Sequence, residues 1–185
     1  NTSSLTYLDT RNVTSIGNYA FDCSTGIQSI ISDKITSIGE YSFQKSSVRN
    51  VELSCISTVP SSAFKNCKSL ETVIIPNAVY IRSYAFYGCD SLKEVTFDSV
   101  THINSSGFEN CTMLTNANFP LLKYANADSF RNCTSLKNLN APILNEAGTN
   151  AFENCTSLKT AYFQYMSNAF ENAFKGCTDL ENVNL

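Results

Sequence analysis

The chain is poor in the residues on which catalysis depends. Among its 185 residues there is no tryptophan and a single histidine, and charged residues make up only 16%, against about a quarter in an average globular protein. A catalytic site needs an acid, a base or a nucleophile that converge on one place. His102 precedes the apolar residue Ile103, so it is expected to point outward, away from Cys89 and Cys111. Because the carboxylates are also scattered without a recurring pair, we expect a protein that is not an enzyme.

Other absences narrow the range of partners. The 13 lysines and arginines are spread along a chain of net charge −3 and form no basic stripe, so we expect no nucleic acid to bind. No apolar run approaches the roughly 20 residues that span a bilayer, which excludes membrane insertion within this segment. The eight cysteines contain no C-x-x-C motif or Cys/His cluster, so neither a metal nor a cofactor is expected.

What the sequence does contain is a repeat. A phenylalanine recurs every 21 or 22 residues along the chain, each time after alanine, serine or glycine. Self-similarity at such a period is the mark of stacked repeat architectures. The eight phenylalanines are Phe21, Phe43, Phe64, Phe86, Phe108, Phe130, Phe152 and Phe174.

Each unit has the same internal pattern. Six residues after the phenylalanine comes an aliphatic residue, and apolar and polar residues then alternate, as from Leu92 to Phe97, which predicts a short strand with one buried face. Segments such as 83–86 around the phenylalanine predict one or two helical turns. Two residues after the phenylalanine stands asparagine or glycine in most units, for example Asn66 and Gly88, which predicts a left-handed cap. Asn-Cys-Thr triplets that begin at this position also match the glycosylation signal, but the cap explains their recurrence.

Units of this kind cannot bury an apolar face alone, so they must stack. The sequence therefore predicts an α/β solenoid of about eight units over residues 1–185, with one parallel sheet and short helical turns opposite. Neither end has an atypical unit that would shield the last apolar layer. We expect a fragment of a longer array whose open ends favour end-to-end association.

Six cysteines recur three residues after the phenylalanine. Stacked in register they would lie about 5 Å apart, within reach of a disulfide, but parallel side chains that point the same way would be strained by bridging. The pattern favours reduced cysteines that act as small buried apolar residues. Cys23 and Cys55 lie outside this ladder and are candidates for exposed thiols. The six are Cys67, Cys89, Cys111, Cys133, Cys155 and Cys177.

The whole pattern, Ala-Phe-x-[Asn/Gly]-Cys-x-Ser-Leu-x-x-[Val/Leu]-x-[Phe/Leu]-Pro, resembles the BspA-type leucine-rich repeat. Its clearest copies here are residues 63–76, 85–97 and 129–142. The resemblance covers essentially the whole chain and implies a right-handed solenoid whose sheet lines a concave face. It also implies a protein at the cell surface or secreted, which adheres to host matrix, cell-surface proteins or glycans. The alternative is a spacer or intracellular scaffold in which no face is selective.

Leucine-rich repeats usually bind ligands on the sheet face, so the outward strand positions are the candidate site. In the second half of the chain these positions are rich in amides and include one tyrosine, which together offer hydrogen bonds and an aromatic surface. The alternative is a purely structural role, in which the amides keep the sheet face soluble or form hydrogen-bonded ladders with one another. A further group, Tyr80, Tyr84 and Tyr87, is expected to pack between layers. The candidate residues are Asn116, Asn118, Asn138, Asn140, Tyr162, Asn182 and Asn184.

Overall fold

The computed structural model describes residues 8–184, and within them the side chains of all residues except Thr160, Tyr162 and residues 182–184. The regular structure of this part of the chain consists of short strands. In chain order they are β1 (Ser15–Ile16), β2 (Ser29–Ser32), β3 (Ser37–Ile38), β4 (Asn50–Leu53), β5 (Thr58–Val59), β6 (Thr72–Ile74), β7 (Tyr80–Ile81), β8 (Glu94–Thr96), β9 (His102–Ile103), β10 (Asn116–Asn118), β11 (Tyr124–Ala125), β12 (Asn138–Asn140), β13 (Glu146–Ala147), β14 (Thr160–Tyr162), β15 (Asn168–Ala169) and β16 (Asn182–Asn184).

The strands form two long parallel sheets, which make two sides of a solenoid. The even-numbered strands from β2 to β16 make an eight-stranded sheet, called the long sheet below. The odd-numbered strands from β5 to β15 make a six-stranded sheet, called the short sheet, while β1 pairs with β3. Each strand pairs with the strand one unit away, as Val73 pairs with Val95. The predicted parallel solenoid of roughly 22-residue units is therefore confirmed, and a second sheet is added to it.

The alternation of the sequence explains the long sheet. In β10 the central residue Ala117 is buried, whereas Asn116 and Asn118 on either side are exposed. Since successive side chains of a strand point to opposite faces, one face packs on the core and the other meets solvent. The same pattern holds in β8 and β12.

The predicted helical turns around the phenylalanines are wrong: between residues 8 and 184 no segment is helical. An α-helix needs continuous negative φ and N–H groups that donate four residues back. Here Ser106 and Asn110, two residues before and after Phe108, have φ of 58° and 62°. The Phe108 N–H instead donates to the carbonyl of Ser129 in the next unit, at 2.7 Å. The left-handed residues turn every second N–H toward the neighbouring unit. The segments around the phenylalanines, which form a third side of the solenoid beside the two sheets, are therefore also hydrogen-bonded from unit to unit.

The cap prediction was right but incomplete. Asn66 and Gly88 have φ of 58° and 66°, as expected from their residue types. Cys23 and Lys45 hold the same position in the first two units and are also left-handed, with φ of 56° and 54°. The second left-handed residue of each unit, two places before the phenylalanine, was missed. It is Tyr19, Tyr41, Ser62, Tyr84, Ser106, Asp128, Asn150 or Asn172.

The recurring phenylalanines form a continuous stack through the core. The ring of Phe86 lies 5.3 Å from that of Phe64 and 5.0 Å from that of Phe108, with nearly parallel planes. A second, shorter stack of Phe97 and Phe119 meets the first at a steep angle. Aromatic contacts of both kinds stabilise a core beyond the burial of their area.

Within residues 8–184, the structure contains no helical segment that could span a lipid bilayer.

Candidate functional site

Four of the predicted site residues lie together on the solvent side of the long sheet. Asn116 and Asn118 stand on β10, and Asn138 and Asn140 stand opposite them on β12. All four side chains are exposed, and the residues between them, Ala117 and Leu139, face the core. We call these four residues the asparagine face. It is an uncharged polar surface two strands wide.

The amides of this face are bonded to one another across the strands. Asn138 Nδ2 donates to Asn116 Oδ1 at 2.8 Å, and Asn140 Nδ2 donates to Asn118 Oδ1 at 2.6 Å. An amide carries two N–H donors and an oxygen with two lone pairs, so one ladder bond leaves hydrogen-bonding capacity toward solvent. The ladder itself fixes the orientation of each amide. A ligand would thus meet polar groups that are already ordered.

Three further predicted residues are Tyr162 on β14 and Asn182 and Asn184 on β16. Their backbones continue the long sheet, and Tyr162 pairs with Asn184. Their side chains lie outside the described residues. The extension of the asparagine face toward them therefore stays a prediction.

The opposite end of the long sheet has a different chemistry. Its outward positions include the exposed apolar residues Ile31 and Ile74, and Thr72 Oγ1 donates to Asn50 Oδ1 at 2.8 Å. Beside it, Glu71 bridges two cations, Arg49 and Lys93, at 3.4 Å each. Exposed ion pairs of this kind contribute little to stability. The outward residues change along the array, whereas the inward residues repeat.

The cysteine ladder has a structural role in this fold. All eight cysteines are free, and the five from Cys67 to Cys155 are buried. Each ladder thiol donates to the phenylalanine carbonyl of the preceding unit, as Cys111 Sγ does to Phe86 O at 3.2 Å. A small apolar side chain with one weak donor suits this position, because the carbonyl it meets is buried. The prediction that the ladder cysteines pack as small buried side chains is confirmed for Cys67 to Cys155, whereas Cys177 is half-buried. Their reduced state stays a prediction.

Burial also makes these thiols unreactive. It raises the pKa of Cys67 and of Cys133 to about 12, and it raises the pKa of Cys89 well above its usual value. The thiolate is the reactive form of cysteine, and it is scarce at neutral pH in such sites. None of the ladder cysteines therefore suits nucleophilic catalysis.

Alkylation of the folded chain with iodoacetamide is expected to modify two thiols, those of Cys23 and Cys55, which are exposed. After denaturation without a reductant, all eight should react, since none is in a disulfide. Intact mass measures both numbers. Fewer than eight modified thiols in the denatured chain would contradict the reduced ladder.

The cap asparagines form an internal amide ladder. Asn132 Nδ2 donates to Asn110 Oδ1, and Asn154 Nδ2 donates to Asn132 Oδ1, both at 2.9 Å. The three asparagines are half-buried, and their backbones are left-handed. Their side chains are hydrogen-bonded from one unit to the next. Their recurrence in Asn-Cys-Thr triplets is thus explained by the cap and the ladder.

The repeat found in the sequence and in the structure matches a known protein family. The sequence profile of the family described as "BspA type Leucine rich repeat region (6 copies)" matches residues 1–115 and 101–185. The chain belongs to this family. No curated protein matches it.

Solved structures of leucine-rich repeat proteins from several bacteria are similar to this chain. A leucine-rich repeat protein from Bacteroides ovatus is 34% identical, with a TM-score of 0.68 over 79% of this chain and 39% of its own. The leucine-rich repeat protein of T. pallidum is 22% identical, with a TM-score of 0.72 over 83% and 75%. One from Eubacterium ventriosum is 23% identical, with a TM-score of 0.56 over 77% and 34%. This chain thus spans about two fifths of the B. ovatus protein, and the two more distant structures support the fold alone.

In this BspA-type solenoid, His102 and the ladder cysteines lie apart. His102 stands on the outer face of the short sheet, with its ring between those of Tyr80 and Tyr124. The thiols of Cys89 and Cys111 donate instead to core carbonyls, so no Cys–His pair forms. Among the described residues, no group of three or more histidine, cysteine or carboxylate side chains could hold a metal ion.

The tyrosines of the BspA-type units were partly misjudged. Tyr80 and Tyr84 are 37% and 42% exposed, so the prediction that they pack between layers is wrong. The reason is that position 80 lies outward on β7, where the buried neighbour is Ile81. A row of rings on the short sheet, formed by Tyr80, His102 and Tyr124, was missed by the sequence reasoning. Its signal was available, since these residues are spaced by 22.

Proposed function

We propose that this chain is a non-catalytic binding module of a surface or secreted adhesive protein, and that the asparagine face is its ligand-binding surface. The observation that carries the proposal is the contrast between the two sides of the long sheet. Inward residues such as Ala117 and Leu139 pack in the core, and an apolar residue recurs at this position in each unit. Outward residues vary along the array and are freely accessible. Selective recognition must use what is accessible and variable.

The chemistry of the asparagine face suits a polar partner. Ordered amides donate and accept hydrogen bonds at fixed positions, which favours specificity over non-directional attraction. The four side chains carry no charge, so recognition would depend little on ionic strength. Family membership supports the same proposal, and the partner would be a host matrix or cell-surface protein or a glycan.

The second candidate is a spacer or scaffold, and the amide ladder is the observation that favours it. The bonds of 2.8 and 2.6 Å between neighbouring amides stabilise the sheet without any ligand. A net gain of about 1 kcal/mol per hydrogen bond would explain asparagine at these positions. In that case the length of the array would matter and the face would not.

Replacement of both Asn118 and Asn140 by alanine separates the two functions. Immobilised laminin, collagen IV and mucin serve as probes of matrix and surface binding. The adhesive module predicts that the double variant loses at least about tenfold in affinity for the probe that the unaltered chain binds, because each amide contributes hydrogen bonds of order 1 kcal/mol. The spacer predicts a loss of stability alone.

The matched control is the pair Asn50→Ala and Thr72→Ala at the other end of the same sheet, which removes the 2.8 Å bond from Thr72 to Asn50 and the longer 3.4 Å bond from Asn50 to Ser29. Both double variants should unfold at similar denaturant concentrations, and only the first should lose binding. Unchanged affinity in the Asn118→Ala, Asn140→Ala variant would refute the site. An unaltered chain that binds none of the three probes would favour the spacer.

A further inference from the structure

A row of aromatic rings crosses the middle of the short sheet. Tyr80 on β7, His102 on β9 and Tyr124 on β11 are in register on three consecutive strands. The ring of His102 lies 5.2 Å from that of Tyr80 and 4.7 Å from that of Tyr124. The Arg82 guanidinium carbon lies 4.9 Å from the centre of the Tyr80 ring. Together with Lys123, which precedes Tyr124, these residues are called the aromatic–basic patch.

The patch is a locally positive surface on a chain of net charge −3. Residues 57–62, 79–84 and 101–106, which make this side of three successive units, contain Arg82 but no aspartate or glutamate. In the next unit Lys123 precedes Tyr124, Asp128 pairs with Arg131, and Glu146 lies beside Tyr124 in register on β13. Among the described residues, neither Arg82 nor Lys123 has a carboxylate within 4 Å, whereas Arg49, Lys93 and Arg131 all do. Unpaired cations beside aromatic rings leave a site that an anion would complement.

His102 is faced by residues of the strands on either side of β9 and by its own neighbour Thr101. On β7 and just after it are Tyr80 and Arg82, and on the other side are Tyr124 and Lys123, while Thr101 Oγ1 lies 2.7 Å from His102 Nδ1. Burial, then Lys123 and Arg82, lower the pKa of His102. Because the neighbouring charges are positive, a bound anion would favour the protonated imidazole. Binding of an anion and protonation of His102 are therefore linked.

Uncharged polar groups complete the surface. The hydroxyls of Tyr80 and Tyr124 both donate and accept, and so do the amides of Asn104 and Asn126 at the ends of β9 and β11. Aromatic rings also offer apolar area on which C–H groups pack. A ligand that combines carboxylates, hydroxyls and C–H groups would use every part of this surface.

We propose that the aromatic–basic patch binds an acidic sugar, a polysaccharide segment of pyranose rings that carry carboxylates. The Arg82 guanidinium donates paired hydrogen bonds to one carboxylate, and Lys123 neutralises a second. Arg82 follows β7 and Lys123 precedes β11, so the two cations are two strands apart and lie toward opposite ends of those strands. They therefore suit carboxylates on different sugar rings rather than one isolated anion. Sugar hydroxyls bond to the tyrosine hydroxyls.

Two other classes of anionic ligand fit less well. An acidic peptide that adds a strand needs a free sheet edge, but β7, β9 and β11 are each paired on both sides. A nucleic acid needs a longer run of cations than Arg82 and Lys123 provide. The proposed site lies on a different sheet from the asparagine face and does not depend on it.

Titration calorimetry of the full chain tests the proposal, with tetragalacturonate as the probe. The neutral galactose tetramer and a tetraglutamate peptide serve as comparisons. Tetragalacturonate should bind at least about tenfold more tightly than either, since only it supplies both the charges and the sugar rings. Equal binding of tetraglutamate would overturn the sugar assignment, and absence of tetragalacturonate binding at millimolar concentration would overturn the site.

Charge-removing variants locate the site. Arg82→Gln should weaken tetragalacturonate binding about tenfold or more, whereas Lys137→Gln, which removes an exposed cation just before β12, should change it less than about twofold. Equal effects of the two variants would show non-specific charge attraction and overturn the proposal. The Asn118→Ala, Asn140→Ala variant should bind tetragalacturonate normally, so failure of this site and failure of the asparagine face are distinguishable.

The pH dependence gives an independent readout of His102. Affinity should rise several-fold between about pH 7.5 and pH 5, because the protonated imidazole adds a third positive charge to the patch. His102→Gln should abolish this rise while Arg82 still supports binding at the higher pH. A pH dependence that His102→Gln leaves unchanged would contradict the linkage and the placement of the carboxylate beside the ring row.

Discussion

Replacement of Phe108 by alanine is expected to lower the free energy of unfolding by about 3–5 kcal/mol, the range for a large aromatic residue removed from a core. The Phe108 side chain is fully buried. Its ring stacks between Phe86 and Phe130 at 5.0 and 5.4 Å, and it meets Phe97 and Phe119 at 6.1 and 5.7 Å. The cavity would therefore remove contacts with three units at once. Chemical denaturation measured by circular dichroism gives the change.

Phe170→Ala is the matched control, because the same side chain is 49% exposed at that position. Its loss should cost less than about 1 kcal/mol. In a solenoid each unit contacts only its neighbours, so Phe108→Ala should also weaken the coupling of the units before and after it and broaden the transition. A Phe108→Ala variant as stable as Phe170→Ala would refute the continuous phenylalanine stack.

The array is expected to lose stability steeply as the pH rises above about 9. Burial raises the pKa of Cys67 and Cys133 to about 12, whereas a thiol in the unfolded chain ionises near 9.0. Between these values the folded chain binds more protons than the unfolded chain, so the free energy of unfolding falls as pH rises. The stabilisation is fully present below pH 9 and is lost toward pH 12. Each such thiol contributes a slope of about 1.4 kcal/mol per pH unit.

Denaturation at about pH 8, 9 and 10 in the presence of a reductant measures this slope. Tyrosines and lysines also titrate in this range, so the comparison is with Cys111→Ala, which removes one ladder thiol and leaves those groups in place. Between pH 8 and pH 10 the loss of stability of the variant should be smaller by about 1.4 kcal/mol, because the unfolded thiol goes from mostly protonated to mostly ionised across its ordinary pKa of 9.0. Equal slopes would mean that Cys111 ionises in the folded chain, which its burial and its bond to Phe86 O oppose.

The parts of the fold that follow from one unit could be predicted from the sequence. Alternation from Leu92 to Phe97 placed Val95 inward, and asparagine or glycine after each phenylalanine placed the left-handed caps. The turns around the phenylalanines depend on the neighbouring unit, because the Phe108 N–H finds its acceptor there. Tyrosine and serine at the earlier left-handed position of the first five units give no sign of that conformation, and only Asp128, Asn150 and Asn172 are residues that adopt it readily. Strands of two residues, such as β9, are too short for alternation to reveal.

The candidate site was predictable to the same extent. Since side chains of a strand alternate, Asn116 and Asn118 had to share a face with Asn138 and Asn140 once the units were in register. The bonds between their amides depend on rotamers across two strands, which a sequence does not determine. The row of Tyr80, His102 and Tyr124 was missed because tyrosines were grouped by nearness in sequence. A comparison of equivalent positions in successive units reveals it.

Unit-to-unit hydrogen bonds along the phenylalanine side of the solenoid explain the left-handed residues, the stacked rings and the buried thiols together. The most direct test is the scalar coupling that NMR detects across a hydrogen bond. The structure predicts a coupling between the amide nitrogen of Phe108 and the carbonyl carbon of Ser129, which lie on either side of the 2.7 Å bond. A coupling from Phe108 to the carbonyl of Asn104, four residues back, would show a helical turn and contradict it.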